Sequence, residues 1–182
     1  MEDAFSLWLM PDSKNDLNRK LKDLIDVISQ VYKTQTFDPH VTLLGGITNS
    51  RERVLNRTRQ FASSMKPFLI TLGNLDSNEN PMQIFFAKVE LSNALLSAHI
   101  GASEALLGLH GRKYKPHLSL AYGDLTKEQT NVLVDEVEKA TALSFGLDGM
   151  EFLTWGVSVM NTPTLNPRDW TEEMYFPFGS TS

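Results

Sequence analysis

The 182-residue sequence contains no cysteine and no long apolar run. Because cysteine is absent, the chain can form no disulfide, no zinc–thiolate site and no thiol nucleophile. No window approaches the ~18 consecutive apolar residues that a membrane-spanning helix needs. The acidic N-terminal sequence lacks the pattern of a signal or transit peptide. We therefore expect a protein of the cytoplasm or nucleus that makes no contact with a membrane.

Basic residues are also scarce. The chain has 17 lysines and arginines against 22 aspartates and glutamates, which gives a formal net charge of −5. Proteins that bind long nucleic acids carry a basic surface, so we expect no stable complex with long DNA or RNA. A small anionic ligand needs only a local site and is compatible with this charge. The length suits a single domain over residues 1–182, which we predict to be a monomer.

A five-residue motif occurs twice in the chain. Residues 39–43 read PHVTL and residues 116–120 read PHLSL, and the two copies contain two of only four histidines. Proline cannot donate to a β-ladder and favours the start or edge of a strand. The pattern therefore predicts that each histidine lies at the end of a strand, where a ligand can reach it.

Strand geometry assigns the side chains of the repeat to two faces. Because side chains alternate along a strand, His40 shares a face with Thr42, and His117 shares one with Ser119. The aliphatic residues between them point to the opposite face. Each copy is thus expected to present one imidazole and one hydroxyl to a groove and to bury its aliphatic residues in a core.

The remaining apolar patterns predict an α+β fold with an internal duplication. Strands are expected at 5–10, 40–44, 68–75, 84–91, 118–122, 143–148, 151–160 and 173–178, and helices at 14–32, 50–65, 93–108 and from residue 126. The glycines after residue 44 are expected to end that strand. The order is β-α-β-α-β in each half, so we predict two pseudo-symmetric lobes, approximately 1–78 with a C-terminal contribution and 79–182. Their antiparallel sheets would surround a central groove, with helices outside.

Two histidines that face one groove suit general acid–base catalysis. With pKa values near ~6.5, one imidazole can be neutral while the other is protonated, and phosphodiester hydrolysis needs one proton acceptor and one donor. Hydroxyls beside them can donate hydrogen bonds to phosphate oxygens, and no metal is required. The two histidines have two other interpretations. In one they are structural residues of the strands, bonded only to backbone groups, and in the other they are ligands of a zinc ion. Neither motif contains a further ligand at the spacing of a zinc site.

Four other residues are candidates for substrate binding. Tyr122 follows the second motif and can stack on a base or contact phosphate, or simply cap the core. Trp8 alternates with leucines, so it can line the groove and stack on adenine. Lys113 and Lys115 lie in a basic stretch that leads into His117; they can contact a diphosphate or form an ordinary solvated surface.

The phrases FSLWLMPD, FDPHVTLLGG and YKPHLSLAYGDLTKEQ resemble the 2H phosphoesterase superfamily. The resemblance covers roughly residues 4–178 and is greatest to the cyclic nucleotide phosphodiesterases of plants and fungi. It implies metal-independent hydrolysis of ADP-ribose 1″,2″-cyclic phosphate and of nucleoside 2′,3′-cyclic phosphates, the latter to 2′-phosphates. It also implies no cofactor, a link to tRNA splicing, and a small nucleotide cyclic phosphate as the binding partner.

The resemblance implies roles for the repeat as well. His40 and His117 take the catalytic roles, and Thr42 and Ser119 bind the substrate phosphate. We assign His117 as base and His40 as acid, although the near-symmetry of the motif leaves the reverse open. Two alternatives are a phosphodiesterase of RNA ends or 2′,5′-oligonucleotides in the same superfamily, and a non-catalytic nucleotide-binding module.

Overall fold

The computed structural model describes residues 4–108, 113–144 and 146–179, with no account of the side chains of residues 141–144. The strands are β1 (Ala4–Leu9), β2 (Val41–Thr48), β3 (Phe68–Ser77), β4 (Phe85–Val89), β5 (His117–Ala121), β6 (Glu151–Thr154), β7 (Gly156–Asn161) and β8 (Thr171–Pro177). The helices are α1 (Asp16–Tyr32), α2 (Arg51–Ser64), α3 (Asn93–Leu107) and α4 (Lys127–Ser144). The predicted α+β class and the twofold β-α-β-α-β order are confirmed, with β7 and β8 added at the end.

Local sequence explains where the first and third helices begin. The Asn15 side chain accepts a hydrogen bond from the Leu17 amide at the start of α1, and the Ser92 hydroxyl accepts one from the Leu95 amide at the start of α3. Such caps satisfy backbone N–H groups that have no partner inside the helix. Apolar residues at helical spacing then bury one face of α1 against the sheet.

The strands form one antiparallel sheet in the order β6-β3-β4-β5-β2-β1-β7-β8. The two motif strands, β2 and β5, lie at its centre, and among the described residues their register contains a single pair, Val41 with Leu118. Each side of this junction is a group of four strands joined by longer ladders. The two copies of the repeat therefore meet where the halves of the sheet separate.

Burial along β1 shows how the sheet divides core from groove. Phe5, Leu7 and Leu9 have no exposed surface and belong to the hydrophobic core. Ser6 and Trp8 alternate with them and line a cavity on the opposite face. The alternation expected for half-buried strands thus places the apolar residues of β1 beneath the helices and its remaining side chains in the groove.

The glycines after the first motif do not end the strand as predicted. β2 continues through them to Thr48, and the register with β1 shifts between the pairs Phe5–Ile47 and Leu7–Leu44. Gly46 has a φ of +67°, which L-residues rarely adopt. The glycines therefore form a β-bulge, which adds a residue to β2 without breaking its pairing.

The segment after α4 also differs from the prediction. The strand expected at 143–148 is wrong, because α4 extends to Ser144 and residues 147–149 form a turn. The single strand expected at 151–160 is two strands, β6 paired with β3 and β7 paired with β1 and β8. The chain passes from one half of the sheet to the other at Trp155, between these strands.

The two halves of the sheet do not correspond to the two predicted lobes, whose boundary lies near residue 78. β3 pairs with β4 and β6, so it lies in the half that contains the second motif. The C-terminal strands β7 and β8 complete the half that contains the first motif. Long-range pairing decides this grouping, because the apolar pattern of β3 suits either half equally well.

No helix within the described ranges has both the length and the apolar character needed to cross a membrane.

Candidate active site

The two motif histidines occupy equivalent positions in the two halves of the sheet. His40 immediately precedes β2, and His117 is the first residue of β5. The Nδ1 atom of His40 lies 2.7 Å from the Asp38 carbonyl oxygen, and that of His117 lies 3.1 Å from the Lys115 carbonyl oxygen. In both copies the carbonyl belongs to the residue before the proline, so the sequence repeat produces a repeated local geometry.

This geometry selects the tautomer of both rings. A carbonyl oxygen can only accept a hydrogen bond, so Nδ1 must carry the proton and donate it. In the neutral form the lone pair is then on Nε2 of His40 and of His117. Each ring is therefore held by its backbone contact, and Nε2 is the nitrogen at which it can gain or lose a proton.

Aromatic residues enclose the His40 ring, which is only 2% exposed. Trp8 stacks on it with 3.5 Å between ring centroids and 5° between planes. Trp170 approaches His40 and Trp8 edge-on. The Tyr122 hydroxyl lies 3.3 Å from His40 Nε2 and donates to it when the ring is neutral. His40 is therefore fixed on its face, at its edge and at both nitrogens.

His117 has a more open environment. Its ring is partly exposed, and Phe86 contacts it edge-on at a centroid distance of 5.3 Å. Solvent water can reach its Nε2 more readily than that of His40.

Both histidines are electrostatically biased toward the neutral state. Burial lowers the pKa of His40 to about 4; the Asp38 carbonyl opposes this shift, and the charge of His117 adds to it. Burial also lowers the pKa of His117 below its usual value, against the effect of the Lys115 carbonyl. The two rings line the same cavity, so the charge of either one acts on the other.

A cavity of about 510 Å³ contains both histidines. This volume lies within the range of sites that enclose small molecules. The described residues that line it are aromatic, small or polar, apart from the two larger aliphatic residues Met82 and Leu165, namely Ala4, Ser6, Trp8, His40, Thr42, Gly46, Asn80, Met82, Gln83, His117, Tyr122, Thr162, Pro163, Thr164, Leu165 and Trp170. The cavity therefore combines two imidazoles with flat hydrophobic surfaces and neutral hydrogen-bonding groups.

The two motif hydroxyls are not equivalent in the structure. Thr42 is partly exposed and lines the cavity. Ser119 is only 2% exposed, is not among the described lining residues, and forms a hydrogen bond with Tyr122. Burial raises the pKa of the Tyr122 hydroxyl, and the bond from Ser119 acts in the opposite direction. Ser119, Tyr122 and His40 Nε2 thus form a polar chain that joins the two motifs.

The other predicted binding residues have different placements. Trp8 lines the cavity, but it is 4% exposed and its face lies against His40, so a base can contact only its remaining surface. Tyr122 also lines the cavity and packs against Phe37. Lys113 and Lys115 are exposed, and neither lies among the described lining residues. The residues before Lys113 in this basic stretch, 109–112, lie outside the described residues.

Two segments contribute to the cavity without having been predicted to do so. Thr162–Leu165 and Trp170 come from the connection between β7 and β8, where the Trp170 indole donates to the Thr164 carbonyl at 2.8 Å. Asn80 and Gln83 come from the turn between β3 and β4, which is tied to the motif strand end by a bond from the Gly123 amide to the Pro81 carbonyl. The only sequence signal was turn composition, which does not indicate which site a turn approaches.

No group of three or more His, Asp or Glu side chains is arranged to hold a metal ion in the part of the chain that the structure describes. Metal independence of the reaction stays a prediction.

Comparison with known proteins places this site in a family. Residues 1–162 match the model of the family described as cyclic phosphodiesterase-like protein. A cyclic phosphodiesterase of Arabidopsis thaliana is 23% identical over 163 residues, which cover 90% of this chain and 87% of that protein.

Solved structures show the same fold at low sequence identity. The protein TT0787 of Thermus thermophilus has a TM-score of 0.67 at 17% identity and covers 98% of this chain and 100% of its own. Escherichia coli LigT, solved with NADP+, has a TM-score of 0.60 at 11% identity and covers 98% of this chain and 99% of its own. The family match spans both copies of the histidine motif, and the chain therefore belongs to the cyclic phosphodiesterase-like family of 2H phosphoesterases.

Proposed function

We propose that this protein hydrolyses cyclic phosphates without a metal ion, by general acid–base catalysis from two histidines. The substrates would be nucleoside 2′,3′-cyclic phosphates, opened to 2′-phosphates, and ADP-ribose 1″,2″-cyclic phosphate, opened to ADP-ribose 1″-phosphate. The observation that carries the proposal is the pair of backbone-held imidazoles, His40 and His117, in one cavity that also contains the Thr42 hydroxyl.

In the proposed reaction, His117 Nε2 removes a proton from water as the water oxygen attacks phosphorus. The bond between phosphorus and one ring oxygen breaks, and His40 Nε2–H donates its proton to that departing oxygen. The product carries one phosphate and one free hydroxyl, and the two histidines have exchanged protonation states. Thr42 donates a hydrogen bond to a non-bridging oxygen, where negative charge increases in the transition state.

Solvent access supports this assignment of base and acid, whereas the strongly lowered pKa of His40 favours the reverse order. His117 is the more exposed ring, so solvent water can enter beside its Nε2. His40 is enclosed and must hold a proton when substrate is bound, which an anionic phosphate in the cavity favours. Protonated His40 has one Nε2–H, so its bond to the Tyr122 hydroxyl must give way to the departing oxygen when the proton is transferred, and Tyr122 donates to Nε2 again once the ring is neutral.

The cavity size and lining favour a nucleotide-sized ligand. About 510 Å³ accommodates a mononucleotide, with aromatic surfaces and the amides of Asn80 and Gln83 available to a base or ribose. LigT has been solved with 3′-AMP, ATP and phosphate, and small nucleotides are the ligands we propose here by analogy. The link to tRNA splicing, the cytoplasmic or nuclear location and the monomeric state stay predictions.

Product analysis tests the function directly. We expect the purified protein to open ADP-ribose 1″,2″-cyclic phosphate and the four nucleoside 2′,3′-cyclic phosphates, with ³¹P NMR showing 2′-phosphates from the latter. Activity should persist after treatment with EDTA, because neither proton transfer uses a metal. Faster cleavage of a 2′,5′-linked oligonucleotide would favour the RNA-end alternative, and substrate binding without product would indicate a binding module.

The pH dependence of kcat/KM should be bell-shaped with its maximum below pH 6.5. Burial lowers the pKa of His40 to about 4 and that of His117 below the ordinary 6.5, and kcat/KM reports the groups of the free enzyme. Activity falls at low pH because both rings are protonated, and at high pH because both are neutral. This result does not depend on which ring is the base.

The optimum of kcat should lie at higher pH than that of kcat/KM, because bound phosphate anion favours the imidazolium form. A cyclic phosphate diester keeps one negative charge across this range, so the substrate adds no titration of its own. A kcat/KM that rises steadily to pH 8 would contradict the lowered pKa values of His40 and His117.

A further inference from the structure

The gap between the two halves of the sheet contains two side chains that the proposed reaction does not use. In the described part of the chain, β2 and β5 are in register at the single pair Val41 and Leu118. Beyond that pair no further described residues of the chain leading into β5 are in register with β2, and the side chains of Tyr114 and His99 contact β2 there. Both contacts fall on the last two residues of the first motif, Thr42 and Leu43.

The contacts are hydrogen bonds to consecutive carbonyl groups of β2. The Tyr114 hydroxyl donates to the Thr42 carbonyl oxygen at 3.0 Å. Nδ1 of His99 donates to the Leu43 carbonyl oxygen at 2.8 Å. The two rings stack on each other with 4.0 Å between centroids and 2° between planes. Together they hold the backbone of β2 where its ladder with β5 is missing.

Tyr114 and His99 are both suited to act as permanent hydrogen-bond donors to β2. Burial raises the pKa of Tyr114, so its hydroxyl keeps the proton that it donates across the working pH range. His99 extends from α3 and is 4% exposed, and its Nε2 is buried without a hydrogen-bond partner in the described part of the chain. A ring with one bonded nitrogen and one enclosed nitrogen is suited to holding a structure in place and not to moving protons.

We propose that Tyr114, supported by His99, is a positioning residue that orients Thr42 toward the substrate phosphate. The proposal rests on the proposed function, in which the Thr42 hydroxyl stabilises the transition state. The Thr42 carbonyl is bonded to Tyr114, while its side chain lines the cavity. Twisting or displacement of β2 at Thr42 would carry that side chain with it, and the Tyr114 bond restrains this movement of the backbone.

The variant Tyr114→Phe removes one hydroxyl and retains the ring that stacks on His99. We expect kcat to fall about 10-fold with little change in KM, because small displacements of a catalytic group lower the rate far more than binding. The matched control is Tyr32→Phe, which removes a hydroxyl bonded to Glu136 on the surface between α1 and α4. That control should leave kcat unchanged.

A double-mutant cycle with Thr42→Val distinguishes positioning from general stabilisation. If Tyr114 acts through the Thr42 hydroxyl, Tyr114→Phe should lower the rate of wild type but have almost no further effect in Thr42→Val. Its effect on the free energy of unfolding should be similar in both backgrounds. An equal rate loss in both backgrounds would overturn the proposal, because the hydroxyl would then not be the group that Tyr114 positions.

A measurement without substrate separates this inference from the proposed function. With isotope-labelled threonine methyl groups, NMR relaxation should show greater side-chain motion of Thr42 in Tyr114→Phe but not in Tyr32→Phe. Increased motion in a protein that opens no cyclic phosphate would retain the positioning role and reject the proposed function. Unchanged Thr42 motion in an active enzyme would reject the positioning role alone.

Discussion

Replacing either motif histidine with alanine should lower turnover of a cyclic phosphate by about 10²–10⁴-fold, the usual contribution of a general acid or base. Without His117 the attacking water has no proton acceptor, and without His40 the departing oxygen has no donor. Steady-state kinetics with a nucleoside 2′,3′-cyclic phosphate would measure the loss. Wild-type turnover in either variant would contradict two-histidine catalysis.

The two histidine variants should differ in stability. His117 is partly exposed, so His117→Ala should leave the unfolding midpoint nearly unchanged. His40 is enclosed and stacked on Trp8, and its removal leaves a cavity that we expect to cost about 1–3 kcal/mol. A second variant, His40→Gln, fills more of that space, so a rate loss shared by His40→Ala and His40→Gln would come from chemistry and not from unfolding.

Added imidazole provides a further check on His117. Truncation to alanine opens space in a cavity that solvent already reaches, so free imidazole should partly restore activity to His117→Ala. Restoration should require the neutral form of imidazole if His117 is the base, and the protonated form if it is the acid. The pH dependence of rescue would therefore assign the two roles that the symmetry of the motif leaves open.

The second large effect should come from the Thr42 hydroxyl. Thr42→Val keeps the size of the side chain and removes the donor, so kcat should fall by about 10²–10³-fold, as for loss of one oxyanion donor. Thr42→Ser keeps the hydroxyl and should retain most of the activity. Equal activity of the valine and serine variants would show that this hydroxyl does not contact the phosphate in the transition state.

Ser119 should respond differently from Thr42, although the two occupy equivalent positions in the repeat. Its side chain is 2% exposed and bonds to Tyr122, which in turn contacts His40. Ser119→Ala is therefore expected to lower kcat less than Thr42→Val and to act through His40. A loss as large as that of Thr42→Val would mean that Ser119 turns into the cavity when substrate binds.

Local patterns in the sequence were sufficient to predict most of the elements. The spacing of apolar residues placed three helices within a few residues of their observed bounds and gave the start of the fourth, because helix faces depend on near neighbours. Errors arose where the outcome depended on pairing between distant segments. Gly45 and Gly46 form a bulge only because β1 holds both sides of it, and the segment 151–160 divides because its ends pair with different halves of the sheet.

The repeat alone was enough to predict the candidate chemistry of this protein. In each copy of the motif, the proline predicts a strand end and places the imidazole near it. The alternation of hydroxyl and aliphatic residues then predicts which face of the strand packs in the core. These are relations between residues no more than a few positions apart, so the sequence by itself is enough to single out His40 and His117.

Only the tertiary structure decided how the two copies differ. Packing encloses His40 among aromatic rings and leaves His117 partly open, and it leaves Thr42 partly exposed while burying Ser119. It also brings Trp170 to the site from a distant segment and bonds Tyr114, next to the second motif, to Thr42 in the first. The physical reason is that burial, and with it the pKa and the hydrogen-bond partners of a side chain, depends on segments that are remote in sequence. Spacing within the motif therefore predicts which side chains are the candidate catalytic groups. The fold determines how the two copies differ in burial, pKa and hydrogen-bond partners.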